Sequence, residues 1–305
     1  MVANMKSSKF LGSALIVGAG CLWGLMGLFV RNLDGFGLSS MQIVALRVIF
    51  TMLIMSAVTL ICGKDLFRIK LRDWWCFTGS GICSIVFFNF CYFRTITLTS
   101  LSAAAVLLYT APIMVMVMSL FLFKEKLTVR KVIAAAAAFS GCALVTGAAD
   151  GSLALNGMGI LTGLGSAFGY ALYTIFGQLA LNRGYKSITI TLYTFIFASV
   201  GVVPFADIGG LAEKIRLHPQ ILAWGAVLAA AVTVLPYLIY TVGLTSVEPG
   251  KASVMATVEP VVATLVGAAV FCEPLSLAGV MGILLVAASL VLLNMPTQKA
   301  VGKNT

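Results

Sequence analysis

Apolar residues fall into ten runs along the chain, at 10–30, 40–62, 74–93, 100–123, 129–147, 157–180, 187–206, 220–243, 250–271 and 275–294. Polar and charged residues gather in the short stretches between them. A helix that crosses the hydrocarbon core of a bilayer needs about 20 predominantly apolar residues. Each run is near that length, so the pattern predicts ten membrane-spanning helices joined by short loops. The first run is too long for the apolar core of a signal peptide, and it lacks a convincing cleavage site. Gly18-Ala19-Gly20-Cys21 resembles a lipoprotein box only faintly, because the run continues past Cys21 to Val30.

The order of residues inside the runs repeats. Tyr92, Thr97, Ala104, Val106, Pro112 and Glu125 recur 148 residues later as Tyr240, Thr245, Ala252, Val254, Pro260 and Glu273. Gly12, Gly18, Gly20 and Gly24 recur 145 residues later as Gly157, Gly163, Gly165 and Gly169. Two prolines inside apolar runs, each followed thirteen residues later by a glutamate at the end of the run, point to duplication. The expected organisation is two five-helix repeats, 10–147 and 157–294, with 148–156 as the linker.

Composition agrees with a chain whose solvent is lipid. Hydrophobic residues make up 60% and charged residues 10%, with a mean hydropathy of +1.06. A soluble domain carries about a quarter charged residues. The formal net charge of +10 would suggest nucleic acid in a soluble protein, but here the basic residues sit in short loops and report topology instead. One side of the expected membrane holds Lys6, Lys9, Lys64, Arg68, Lys70, Arg72, Lys124, Lys126, Arg130, Lys131, Arg183, Lys186, Lys251, Lys299 and Lys303. The other holds Arg31, Arg94, Lys214 and Arg216, and Arg47 lies inside a run. Fifteen against four places both termini in the cytoplasm and the linker outside, in a multi-pass protein of the cell membrane. Five spans per repeat is odd, so the second repeat enters the membrane from the opposite side. Inverted repeats of this kind put a site near the midplane between the halves and predict alternating access.

Catalytic and cofactor chemistry finds no support. The seven cysteines are scattered without a CxxC pair, and His218 is the one histidine, so neither a disulfide framework nor a metal site is expected. Gly250-Lys251 is not a phosphate-binding loop, because Thr245 stands where its first glycine belongs and Ala252 follows the lysine. No cofactor is expected, and transport would have to draw on a gradient.

A few residues stand out as candidate chemistry. Gly20/Gly24 and Gly165/Gly169 are small residues one turn apart, which let helices approach closely in lipid, as static packing or as moving seams. Pro112 and Pro260 each remove a backbone donor inside a run, as a static kink or as a hinge lining a site. Arg47 and Glu259 are ionisable groups at depth, where such groups face a cavity or a partner. Burial favours a protonated carboxyl in general, and a nearby cation releases the proton. Arg47 or a substrate ammonium is a candidate for that cation, and the proton a candidate coupling ion. Tyr92, Tyr109, Tyr170, Tyr173, Tyr237 and Tyr240, with Trp23 and Asn89, are candidates to line a mostly apolar cavity.

Trp23-Gly24, Ala111-Pro112, Phe123-Lys124-Glu125 and Glu259-Pro260 with Glu273 make the chain resemble the EamA family of the drug/metabolite transporter superfamily, from about residue 10 to 294. The resemblance implies a ten-helix secondary transporter, often an exporter of amino acids or related metabolites. Phe168-Gly169 replaces the Trp-Gly pair in the second half, and no arginine stands at the counterpart of Arg47, so the halves are chemically unequal. Efflux of drug-like cations is the alternative within transport, since a carboxylate among aromatic rings suits a cation. A membrane enzyme on lipid-linked substrates would need polar clusters in long loops, and a receptor or scaffold would need an appended domain. The substrate expected is a small molecule.

Overall fold

The computed structural model describes residues 2–147 and 156–295, with side chains from Lys9 onward. The Lys6 side chain, linker residues 148–155, Lys299 and Lys303 lie outside the described residues. All regular structure among them is helical. The first apolar run is α1 (Val2–Gly24) and α2 (Met26–Asp34), and the second is α3 (Ser40–Cys62). The third contains α4 (Trp74–Thr78), a π-helical stretch (Gly79–Val86) and α5 (Phe87–Leu98). The fourth is α6 (Leu101–Leu108) and α7 (Ala111–Leu122), and the fifth is α8 (Val129–Val145).

The second half follows with α9 (Gly157–Asn182), α10 (Ser187–Val202), a short α11 (Ile208–Leu217) and α12 (Gln220–Ala229). After a π-helical stretch (Ala230–Val234) come α13 (Leu235–Gly243), α14 (Pro249–Met255), α15 (Val258–Phe271) and α16 (Leu277–Asn294). Nine helical segments among the described residues are long and apolar enough to cross a membrane. The fifth expected run is the shorter one, because α8 has 17 residues. Phe121, Val200 and Leu284 point outward with exposures of 75%, 67% and 65%. An apolar exterior of this kind is what a bilayer solvates.

The repeat is written in the irregularities of the backbone. π-Helical residues occur at 79–86 and again at 230–234, equivalent positions of the third and eighth runs. The fourth and ninth runs are both broken, at Tyr109-Thr110 and at Ala256-Thr257. Proline suits the first turn of a helix, where its missing N–H would be unbonded anyway, and it opposes a continuous turn before it. Pro112 and Pro260 accordingly stand in the first turns of α7 and α15. Past both helices one residue is left-handed, Lys124 at φ 54° and Cys272 at φ 55°. The next amide then bonds six residues back at 3.2 Å, Glu125 to Ser119 and Glu273 to Gly267. The expected long proline-kinked helices are therefore pairs of half-helices.

The two halves exchange contacts. α1 packs on α13 and α15, while α9 packs on α5, α6 and α7. α8 and α16 run together where Gly141 meets Gly282; a Cβ on Gly141 would stand 2.7 Å from the Gly282 carbonyl oxygen. Without a hydrophobic drive between helices in lipid, such close backbone contact is what favours their association.

Basic loops converge on one face. There Arg183 Nε reaches Asp73 at 3.1 Å and Lys131 Nζ bridges Glu125 at 2.7 Å and Glu248 at 2.6 Å. The opposite face carries Arg31 paired with Glu273 at 2.7 Å. It also carries a correction: Lys214 and Arg216, expected in a loop, lie on α11. Asp207 caps that helix through the Gly210 amide, Leu211 is buried against the core, and Lys214 bonds Gln42 Oε1 at 2.9 Å. Its apolar positions, Ile208, Leu211 and Ile215, have helical spacing within a stretch too short for a span.

Candidate functional site

The breaks in the fourth and ninth runs aim their residues at the middle of the bundle. Glu259 is the second residue of α15, where a negative charge is favoured by the helix dipole. Gly24 lets α1 lie directly on it: a Cβ there would stand 2.7 Å from the Glu259 carbonyl oxygen. Gly20 sits one turn back against Ala256 and Val258. Tyr170 of α9 donates to Glu259 Oε2 at 3.1 Å. Arg47, Tyr92, Tyr109 and Tyr237 all lie within electrostatic range of the same carboxylate, as does Cys142. Four of the six tyrosines, Arg47 and Glu259 thus share one neighbourhood.

Beside it lies a cavity lined by Trp23, Ser84, Ile85, Phe88, Tyr170, Tyr173, Thr174, Tyr237 and Tyr240. Rings fix its walls. Trp23 meets Tyr237 edge-on at 5.2 Å and Tyr240 at 5.3 Å, and Tyr173 meets Tyr237 at 4.7 Å. Two hydrogen bonds join α9 to α13 at one end, Tyr173 with Thr241 at 2.9 Å and Thr174 with Tyr240 at 2.8 Å. About 20 Å³ is open to the centre of a water molecule, room for about one water. A metabolite fits here only if the walls separate.

Arg47 is 5% exposed and lacks a carboxylate within ion-pair distance among the described residues. One terminal nitrogen reaches Met26 Sδ at 3.1 Å, and its Nε has no partner among the described residues. Its side chain is enclosed and does not snorkel to the surface.

Several expected site residues lie elsewhere or differ in role. Asn89 spends its amide nitrogen on the Ile85 carbonyl at 2.7 Å, next to the π-helical stretch, so it is not a wall of this cavity. Gly165 is not a tight seam: a Cβ there would make ordinary contact with Cys91 at 3.4 Å, whereas a Cβ on Gly169 would stand 3.0 Å from the Phe88 backbone. Both face α5. The small residues of α9 that face α7 are Ala167 and Ala171, packed with Ala111 and Val115. Pro112 is buried behind that contact. Ser84, Ile85, Phe88 and Thr174 escaped sequence reasoning. Their signal is helical spacing only: Ser84 and Phe88 lie one turn apart, and Thr174 lies one turn beyond Tyr170.

Comparison with known proteins adds the family. Residues 10–147 and again 157–295 match the EamA-like transporter family. A protein of Archaeoglobus fulgidus described as an uncharacterized transporter is 30% identical over 83% of this chain and 86% of its own length. A second from the same organism is 27% identical over 89% and 92%. The uncharacterized transporter YetK of Bacillus subtilis is 24% identical over 92% of this chain and 82% of its own. A crystal structure of another protein superposes with a TM-score of 0.75 over 94% of this chain and 96% of that one, at 17% identity, a likeness of fold.

Proposed function

We propose, from the premise that this chain belongs to the EamA-like transporter family and is a multi-pass membrane transporter, that it carries a small zwitterionic metabolite by alternating access. The substrate class is an amino acid or a related amphipathic compound. Two inverted five-helix repeats, 10–147 and 157–294, make up the machine, with α8 counted as the tenth span. The basic face is cytoplasmic by its lysines and arginines, in the cell membrane, and net movement is export.

One observation carries the reading. Glu259 is half-buried at a helix break, held by Tyr170, with Arg47 enclosed nearby and without a carboxylate partner among the described residues. A buried guanidinium without an anion and a carboxylate without an ion-pair partner are what a zwitterion completes. The two charges belong to different halves, Arg47 to the first and Glu259 to the second. A substrate bridging them would therefore sense their relative movement. Toward the basic face α7 and α14 pack together, and Lys131 clamps Glu125 to Glu248. Opening there requires that contact to part. Exchange of a proton for the substrate's ammonium at Glu259 couples transport to a pH gradient without further chemistry.

The test is flux in proteoliposomes under an imposed pH gradient, with a metabolite mixture as cargo. Wild type is expected to move amino acids, and Glu259→Gln to insert normally and lose proton-driven flux. Wild-type flux with unchanged pH dependence in that variant would overturn the role of Glu259. The aromatic walls also favour a second reading, an organic cation, which flux of amines without amino acids would select.

A further inference from the structure

We infer that Trp23 and Ser84 form an acceptor subsite in the cavity beside Glu259, one that takes a carboxylate oxygen of the substrate. The inference rests on the zwitterion reading above. It starts from two polar atoms that the protein leaves unpaired. Hydroxyls on these helices ordinarily bond a carbonyl about one turn back, as Thr51 does to Arg47, Thr59 to Met55 and Ser253 to Gly250. Ser80, in the same π-helical stretch as Ser84, bonds both the Phe77 carbonyl and Thr194. Ser84 does neither. It is 1% exposed and its Oγ has no partner among the described residues. Trp23 is 8% exposed, and its Nε1 is likewise without a partner among them. Contacts with Tyr237 and Tyr240 hold the indole in place, so its N–H cannot easily swing to another acceptor.

Both atoms belong to residues lining the one cavity. The other buried hydroxyls without partners, those of Ser119, Thr191 and Ser199, belong to residues that do not line it. A buried donor without an acceptor is costly, so a pair on residues lining one small space favours a ligand that brings an oxygen acceptor. Tyr170, a further wall of the cavity, donates to Glu259, an acceptor that is not itself part of the lining. Apolar Ile85 and Phe88 share the lining with Tyr173, Thr174, Tyr237 and Tyr240. The cavity thus joins two donor-bearing residues to the tyrosine that holds the carboxylate. It distinguishes a zwitterion from a simple amine, which would satisfy Glu259 and leave both donors bare. The α1 motif Trp23-Gly24 then has two tasks: the ring reads the substrate and the glycine seats α1 on the backbone of Glu259.

The experiment pairs each amino acid with the amine it would become without its carboxylate, leucine with isopentylamine and phenylalanine with phenethylamine. Purified full-length protein is screened with the twenty amino acids and these amines by thermal shift, and the pairs are then followed by flux in proteoliposomes. Wild type should prefer the amino acid. Trp23→Phe keeps a ring and loses the N–H, Ser84→Ala loses the hydroxyl, and Ser84→Thr keeps it. Each of the first two should reduce the preference for amino acid over amine about tenfold, through KM, as expected for one hydrogen bond to a charged group. Ser84→Thr should restore it. Equal losses for both members of a pair would mean that the two residues only hold a structural water, and the subsite would be discarded. Response to amines alone would remove the subsite while leaving Glu259 as the cation site. Response to no amino acid would remove the subsite and the zwitterion reading together. Loss of both ligands in Glu259→Gln, with the preference of Trp23→Phe unaltered, would leave Glu259 standing and overturn the subsite.

Discussion

The fourth and ninth runs have the same backbone and different chemistry. Each is two half-helices with proline in the first turn of the second, and each ends on a left-handed residue followed by glutamate. At the break the first copy has Ala111, 1% exposed against Ala167 and Ala171, while the second has Glu259 facing Tyr170. At the far end Glu125 is 6% exposed, bridged by Lys131 and accepting the Gly250 amide at 3.1 Å. The side chain of its counterpart Glu273 is 48% exposed and pairs with Arg31, which also lies over the Phe271 ring. Duplication copied the bend and the turn. The charge in the middle exists once, and the contacts at the two faces are of unequal strength.

Moving the charge should have the largest effect. Glu259→Ala is expected to abolish flux, and adding Ala111→Glu to it should not restore transport. Ala111 is 1% exposed and packed among Val115, Ala167 and Ala171, with Tyr170 against the same cluster, so a carboxylate there has no room without displacing those side chains. Recovery of flux by the double variant, with normal size-exclusion behaviour, would show the two breaks to be interchangeable.

Next in size is the clamp on the basic face. Lys131→Met leaves Glu125 buried without its cation, and removing one partner of a buried pair costs about 3–5 kcal/mol. Thermal unfolding in detergent should drop clearly. Arg31→Met breaks the partly exposed pair on the opposite face and should cost less than about 1 kcal/mol. Equal shifts for the two variants would erase the distinction between the faces.

The glycine seams separate in the same way. Gly24→Ala drives a methyl into the Glu259 carbonyl and Val262, both at 2.7 Å, and should lower flux severalfold while insertion survives. Gly165→Ala meets Cys91 at 3.4 Å and Phe87 at 3.6 Å, ordinary contacts, and should change little. The smallest perturbation tests orientation. Gly157 has open space around its Cβ, so Gly157→Cys in a background without the seven native cysteines should be silent for flux. It should react with an impermeant thiol reagent in intact cells; labelling only after lysis would reverse the topology.

Much of this was legible in residue order. Apolar runs near 20 residues long announce helices in lipid, and recurrence 148 residues apart announces two copies. The pairing of glycines was misleading, because the 145-residue offset matched Gly165 and Gly169 to Gly20 and Gly24 by residue type. In the fold Ala167 and Ala171 hold the seam on α7, since any small side chain permits the approach and letter identity does not report which face of a helix is turned inward. The α11 helix was missed because ten residues with a mixed pattern resemble a loop.

By itself the sequence determined the solvent, the helical class, the duplication and the presence of one arginine and one glutamate at depth. Those follow from hydropathy and periodicity, which are sums over many residues and survive the loss of any one. The tertiary structure alone decided that Glu259 meets Tyr170, that Arg47 is enclosed without a carboxylate among the described residues, and that Trp23 and Ser84, each with an unpaired polar atom among them, line one cavity. Each depends on the rotation of a helix about its axis. In a bilayer every outward face is apolar, as most inward faces are, so pattern along the chain does not set that rotation; side-chain packing between the halves does.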